Sequence, residues 1–279
     1  MNYRELITQL TLQRGAGEAR AIVRMVMEER FGLSQTDLLL GKDTTLSADD
    51  RTEFEKIAFR LLSGEPVQYV LGFADFCGHR FSVNSDVLIP RPETAELVRW
   101  VIDDHPHSPS LKILDLCTGS GCIAISLALA FPAACVVGAD ISPEALVVAR
   151  KNAHVLGASN VEFIQQDILK MDDFRHTSFS ILISNPPYIR AIEAKDMERT
   201  VLDYEPHQAL FVPDDDSLRF YHAISNIAQR TLLPNGFLYV EINAALAEET
   251  RQIFLTAGFR DVILRNDQFN RPRMLRVTR

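Results

Sequence analysis

Residues 113–124 read Ile-Leu-Asp-Leu-Cys-Thr-Gly-Ser-Gly-Cys-Ile-Ala, ILDLCTGSGCIA. An apolar run turns through small residues into a second apolar run. LKILDL (111–116) has the length and composition of a buried strand, and CIAISLALAF (122–131) reads as an apolar helix. Gly119 and Gly121 allow the backbone between them to approach a ligand closely, and the helix that follows offers free N–H groups. The stretch satisfies the pattern G-x-G-x-x-A, with Asp140 following at roughly the 20-residue spacing of that pattern. Strand, glycine loop and helix in this order begin an α/β sheet.

Working outward toward the C-terminus, the alternation continues. CVVGAD (135–140) is a strand. SPEALVVARKNAHVLG (142–157) is a helix with Ser142 as N-cap, Pro143 at its first position and Gly157 at its stop. VEFIQQD (161–167) and FSILIS (179–184) are strands, SLRFYHAISNIAQRTLL (217–233) a helix, GFLYVEI (236–242) a strand and ALAEETRQIFLTAG (245–258) a helix. Two strands, FRDVILR (259–265) and RMLRVTR (273–279), follow with no helix between them. Strands this apolar on both faces predict a mostly parallel sheet covered on both sides, with an antiparallel pair at one edge. HPHSPS (105–110) reads as a solvated connection whose histidines carry no function.

Working outward toward the N-terminus, the period changes. FADFCGHRFSVNSDVLIPRP (73–92) alternates like a short hairpin and is stopped by Pro90 and Pro92. Before it the chain is helical. GEARAIVRMVMEERFG (17–32) carries Ala19, Ile22, Val23, Val26 and Met27 at helical spacing. SADDRTEFEKIAFRLLSG (47–64) opens on Ser47 with acids in its first turn, where they meet the positive end of the helix dipole. The expected organisation is a helical N-terminal domain over 1–75, a β-hairpin linker over 76–92 and the α/β domain over 93–279.

Bulk properties exclude several classes. A net charge of −8 gives no general grip on nucleic-acid phosphates. No apolar run reaches the length of a membrane span, and MNYRELITQL is no signal peptide. Cys77, Cys117, Cys122 and Cys135 form no CxxC pair and have no histidine at metal-ligand spacing, which points to a reduced, cytoplasmic protein without a metal. The chain contains no internal repeat.

The glycine loop alone suits NAD, S-adenosyl-L-methionine (SAM) or a plain tight turn. Asp140, ending the second strand, can accept hydrogen bonds from both hydroxyls of a ribose; the plainer reading is an exposed acid at a helix start. Asp115 inside the first strand would repel a pyrophosphate but suits an ammonium, reached directly or through water. Asp167, ending the third strand, can accept from an adenine amine. There is no second nucleotide-binding half. SAM is the better fit.

The fourth strand runs into Asn185-Pro186-Pro187-Tyr188, at the sheet end where doubly wound folds bind ligands. The prolines fix their own φ angles and keep Asn185 out of the helical region. The Asn185 side-chain oxygen and the Pro186 carbonyl are then two acceptors for one planar –NH2 group, and Tyr188 can stack on a flat π-system. This reads as a clamp for a carboxamide or for an amino group on a base. An amide nitrogen held in this way needs no strong base before it attacks, since it becomes acidic only as it bonds to carbon.

These residues resemble the release factor protein-(glutamine-N5) methyltransferases, the HemK/PrmC family, over nearly the whole chain. PVQYVLGFADFCGHRFSVNSDVLIPRPETAELV (66–98) resembles the family's linker and hairpin, LDLCTGSGCIAISLA (114–128) its SAM loop, SNPPYI (184–189) its catalytic loop and YEPHQALF (204–211) its F-E-P-x-x-A-L segment. N/D-P-P-Y is shared with amino methyltransferases of DNA and RNA; IPRPETAELV together with YEPHQAL is much more specific. The resemblance implies a Rossmann-like SAM-dependent methyltransferase sheet with a small helical N-terminal domain that helps to dock the substrate. It implies that Cys117, Thr118, Gly119, Ser120, Gly121 and Asp140 line SAM, that Asp167 and Ile168 flank the adenine, and that Asn185, which also borders the cofactor, holds the substrate glutamine with Pro186, Pro187 and Tyr188. The implied reaction takes the methyl group of SAM to the glutamine of the Gly-Gly-Gln loop of class 1 peptide chain release factors and leaves S-adenosyl-L-homocysteine. A monomer without nucleic-acid or membrane partners is expected. Two departures stand out: Ile242-Asn243 follows YVE where the family has glycine and glutamine, and Asn270 replaces a glycine. Neither is expected to touch the methyl-transfer loop.

Two other readings compete. A nucleic-acid amino methyltransferase would use the same clamp for adenine or cytosine, but the charge and the linker signature oppose it. A non-catalytic SAM- or NAD-binding module would not need two acceptors aimed at a substrate amine.

Overall fold

The computed structural model describes residues 1–106, 110–170 and 178–279. They divide into two compact units, Met1–Phe73 with Glu198–Tyr204, and Ala74–Met197 with Glu205–Arg279. No helix among the described residues is long and apolar enough to cross a membrane.

The first unit is helical: α1 (Tyr3–Arg14), α2 (Ala16–Phe31), α3 (Gln35–Leu39), α4 (Ala48–Leu62) and α5 (Val67–Leu71). Asn2 caps α1 in a reciprocal box, accepting from the Glu5 N–H while Glu5 accepts from its own. Ser47 accepts from the Asp50 N–H at the start of α4, as its position before the acidic turn predicts. Leu6, Leu10, Val23, Val26, Met27 and Leu61 are buried between these helices. A later segment joins them. Helix α9 (Arg199–Tyr204) belongs to this unit, and the Tyr204 hydroxyl donates to the Ser63 carbonyl at 2.7 Å.

The second unit opens, from Ala74 on, within the hairpin β1 (Phe73–Phe76) and β2 (His79–Ser82), followed by α6 (Pro92–Asp104). Then come β3 (Lys112–Leu116), α7 (Cys122–Ala130), β4 (Cys135–Asp140), α8 (Pro143–Leu156), β5 (Val161–Gln165) and β6 (Phe179–Ser184). Short elements follow: β7 (Ile189–Arg190), α10 (His207–Leu210) and β8 (Phe211–Val212), with β7 parallel to β8. The unit ends with α11 (Arg219–Thr231), β9 (Leu232–Glu241), α12 (Ala247–Thr256), β10 (Arg260–Asn266) and β11 (Pro272–Thr278). The seven-stranded sheet has the order β10-β11-β9-β6-β3-β4-β5. Strands β9, β6, β3, β4 and β5 are mutually parallel, while β11 is antiparallel to both β9 and β10. The sheet is Rossmann-like with an antiparallel edge pair, as its pattern predicts.

Period-two alternation sorts the core. Ile113, Ile181, Ile183 and Tyr239 face α6, α7 and α8, while Leu114, Leu182, Leu238 and Val240 face α11 and α12. Each such side chain contributes about 1.5–3 kcal/mol by leaving water. After β5 the chain returns to the other side of β3 to form β6, so β3 and β6 flank the switch point where such sheets bind ligands.

Two local readings change. Pro92 not only ends the hairpin but occupies the first turn of α6, a position it suits because the N–H it lacks is unneeded there. Residues 107–109 of the predicted solvated connection lie outside the described residues, but His105 is half-buried. Its Nε2 lies 3.1 Å from Tyr239 Oη, its ring packs edge-on to Phe237, and burial lowers its pKa.

Candidate active site

The loop after β3 is built from backbone turns that few residues tolerate. Cys117 has φ +63°, Gly119 +54° and Gly121 +79°. An added Cβ at Gly119 meets nothing within 4 Å, whereas at Gly121 it would meet Ile125 Cδ1 at 2.9 Å. The first glycine leaves room on the ligand side, and the second allows the helix to seat against α8. A non-glycine residue in the left-handed region, as Cys117 is, marks a backbone that its surroundings hold in place.

Carboxylates pin this loop. Gly119 N–H donates to Asp140 Oδ2 at 2.8 Å and Ser142 N–H to Asp140 Oδ1 at 3.0 Å. Thr118 Oγ1 and the Ala124 N–H both donate to Asp115 Oδ2, the latter at 3.2 Å. Asn152, buried on α8, donates to the Ser120 carbonyl at 2.9 Å and exchanges hydrogen bonds with the Ser82 backbone, tying the hairpin to the loop. Burial pushes the Asp115 carboxyl up to about 7 and raises that of Asp140. Burial, with the Asp140 and Asp115 carboxylates close by, lifts the Cys117 thiol well above the ordinary range, so it is no thiolate nucleophile.

A crevice of about 320 Å³ opens beside the carboxyl ends of these strands, lined by Cys117, Gly119, Asp140, Asp167, Ile168, Asn185 and Pro187 among others. Among the described lining residues are three carboxylates, Asp86, Asp140 and Asp167, and one cation, Arg219; Lys170 also pairs with Asp167 at 3.2 Å. That balance suits a cationic ligand and opposes a pyrophosphate. Asp167 sits in a tight turn in which its Oδ1 accepts from the Leu169 N–H at 3.0 Å. Ile141, Ile168, Leu169 and Phe220 supply apolar wall. Among the described residues no group of three or more His, Cys, Asp or Glu side chains is placed to hold a metal ion.

The lip after β6 is held differently. Asn185 Nδ2 donates to Thr94 Oγ1 at 3.1 Å, and the Thr94 hydroxyl donates to Glu241 Oε2 at 2.7 Å. The Tyr188 hydroxyl donates to Glu241 Oε1 at 2.9 Å, and Arg273 lies 3.4 Å from the Tyr188 oxygen. Asn243 Nδ2 donates to the Tyr188 carbonyl at 3.0 Å and to Glu193 at 2.9 Å. The Asn185 Oδ1 makes no hydrogen bond among the described residues. The buried Glu205 carboxylate accepts from the Ile89 N–H at 3.1 Å and pairs with Arg91, so the two sequence segments of greatest specificity, IPRPET and YEPHQAL, meet through it. Pro206, Gln208 and Ala209 from the latter line the crevice.

Cys117, Gly119, Asp140, Asp167, Ile168, Asn185 and Pro187 thus converge on one crevice. Asp115, Thr118, Ser120 and Gly121 are not among the crevice-lining residues, nor is Pro186, which is buried. Asp115 is completely buried with its Oδ2 engaged in holding the loop, so it has no direct contact with the crevice. Tyr188 is held by its hydroxyl to Glu241 and is not among the crevice-lining residues, so it braces the lip rather than offering a face for stacking. Asn243 does touch the methyl-transfer loop, contrary to expectation, because the turn after β9 packs directly under Tyr188. Asn270 takes φ +60°, a conformation that asparagine tolerates better than most residues, which explains how it replaces glycine. Sequence reasoning missed Thr94, Asn152, Glu205 and Glu241. A proline-initiated helix at PETAEL and an acid ending the fifth strand were the available signals.

This sheet and crevice define a Rossmann-like methyltransferase. The family described as "Methyltransferase domain" matches residues 107–260, and that described as "PrmC N-terminal domain" matches residues 4–72. The chain is 45% identical over 262 residues to the release factor glutamine methyltransferase of Bacteroides thetaiotaomicron, covering 94% of this chain and 93% of that protein. It is 43% identical to the protein of the same name from Flavobacterium psychrophilum, over 93% and 92% of the two chains. Among solved structures, ribosomal protein L11 methylase from Lactobacillus delbrueckii subsp. bulgaricus aligns with TM-score 0.51 at 18% identity, over 71% of this chain and 83% of that one, a likeness of fold. The chain belongs to the release factor glutamine methyltransferase family.

Proposed function

We propose that this chain transfers the methyl group of SAM to the side-chain amide nitrogen (N5) of the glutamine in the Gly-Gly-Gln loop of class 1 peptide chain release factors. It acts in the cytoplasm, as a monomer, with no nucleic acid or membrane as direct partner. The observation that carries the reading is Asn185: it lines the crevice with its amide nitrogen committed to Thr94, which leaves Oδ1 to accept from a substrate N–H.

Bound SAM supplies an electrophilic methyl carbon. Asp140 and Asp167 provide acceptors for the ribose hydroxyls and the adenine amine, and the acidic lining favours the positive charge of the sulfonium. Behind the loop, Asp115 and Thr118 hold the backbone that borders the crevice. Asn185 Oδ1 and the Pro186 carbonyl would accept from the two N–H bonds of the glutamine carboxamide. Those hydrogen bonds push electron density back onto nitrogen and aim its lone pair along the axis of displacement. Positioning of this kind contributes on the order of 7–11 kcal/mol in favourable cases. As the N–C bond forms, the S–CH3 bond breaks with its electron pair left on sulfur, releasing S-adenosyl-L-homocysteine, and the nitrogen, made acidic by that bond, gives its proton to water, so no strong base is required among the lip residues.

Incubation of the purified chain with methyl-labelled SAM, release factor and DNA separates the possibilities. The expected result is label on one glutamine side chain of the release factor. Label on DNA bases with none on the release factor would overturn the proposal.

A further inference from the structure

We propose that Thr94 and Glu241 are positioning residues that fix the polarity of the Asn185 amide, so that its oxygen and not its NH2 group meets the substrate; the inference rests on the function proposed above. Asparagine is nearly symmetric in shape, and which end faces outward is decided by its hydrogen-bond partners. Glu241 ends β9 and is 1% exposed. Its carboxylate can only accept, and it takes the Thr94 proton on Oε2 and the Tyr188 proton on Oε1. A threonine hydroxyl has one proton. With that proton given to Glu241, Thr94 Oγ1 can only accept from Asn185. Its neighbour at 3.1 Å is the amide nitrogen, as this logic requires. A reversed amide would set oxygen against oxygen at Thr94 and NH2 against the NH2 of the substrate.

The relay is assembled from distant parts of the chain. Thr94 lies 91 residues before Asn185, and Glu241 lies 147 residues after Thr94. Thr94 is 2% exposed, so water cannot take its place. Arg273 lies beside the Tyr188 hydroxyl and favours the charged form of Glu241, opposing the burial that raises its pKa. A protonated Glu241 would be a donor and could drive the relay in the opposite sense.

The test contrasts shape with hydrogen bonding. Thr94→Val keeps the shape and removes the hydroxyl; Thr94→Ser keeps the hydroxyl and removes a methyl group. kcat, KM for the release factor, SAM affinity by calorimetry and Tm are measured for the full chain and both variants. Thr94→Val should lose on the order of 10²-fold in kcat, as when one oriented hydrogen bond at a reacting oxygen is removed, with SAM affinity unchanged. Thr94→Ser should keep most of kcat. A site that needs only packing from Thr94 gives the opposite order, and that result, or equal losses in both variants, overturns the inference. If the valine variant does not fold, the serine variant decides: retained kcat supports the relay and lost kcat overturns it. A wild-type chain that labels no glutamine overturns the function itself, and this inference with it.

Discussion

The glycine loop and the Asn-Pro-Pro-Tyr lip border the same crevice but are held by different means. In the loop the carboxylate contacts are nearer in sequence: Asp115 holds Thr118 three residues away and Ala124 nine away, and Asp140 holds Gly119 from 21 residues away, with Asn152 the more distant support. In the lip the contacts are distant: Asn185 to Thr94, Thr94 to Glu241, and Asn243 to Tyr188 across 55 residues. The loop mainly shapes backbone to surround a ligand, and local turns suffice for that. The lip must present one side-chain atom in one orientation, which requires neighbours on several sides. Binding and chemistry are therefore separable here, and substitutions in the two regions should fail in different ways.

The largest expected effect is on the lip. Asn185→Ala removes the acceptor and should lower kcat on the order of 10²–10³-fold while SAM binding, followed by calorimetry, is largely kept. Abolished SAM binding in that variant would place Asn185 in the cofactor site instead and break the distinction. An intermediate effect is expected in the loop. Gly121→Ala puts a methyl group 2.9 Å from Ile125 Cδ1 and 3.1 Å from Ala149 Cβ, at φ +79°. Overpacking of this kind costs about 1–3 kcal/mol, read as a lower urea midpoint together with weakened SAM affinity. A normal midpoint would show that α7 can move away from α8.

A further prediction concerns pH. The Asp115 carboxyl is pushed from 3.8 up to about 7, chiefly by burial. Between those values the folded chain holds a proton that the unfolded chain has released. The stability contributed by this group is therefore greatest at low pH and is lost as pH rises towards about 7. Asp115→Asn removes the titration, so the stability of the variant relative to wild type should rise between pH values of about 4 and about 7. A difference in urea midpoint that does not change over this range would show that the carboxyl is charged throughout.

How much was legible in the sequence follows the same division. The order of strands and helices, the antiparallel edge pair, the glycine loop and the convergence of Asp140, Asp167 and Asn185 at one end of the sheet could all be read from period and spacing. They depend on near neighbours and on general rules for how parallel sheets bind ligands. Asp115 and Tyr188 were assigned to the ligand because their residue types suit it, but burial and hydrogen bonding direct both into the protein. Asn243 was set aside as a departure from the family pattern, yet it supports the lip. Helix α9 lies in sequence between β7 and β8 of the methyltransferase unit and yet belongs to the helical unit, which no local pattern indicates.

By itself the amino-acid sequence determined the kind of fold and several of the groups that face the crevice, among them Asp140, Asp167 and Asn185, because hydrophobic period and turn chemistry act over a few residues. Only the tertiary structure decided which end of Asn185 faces outward, which carboxylates are buried as structural pins and which residues brace the lip. Those outcomes depend on atoms brought within about 3 Å of one another from positions many tens of residues apart, and one-dimensional spacing carries no record of such distances.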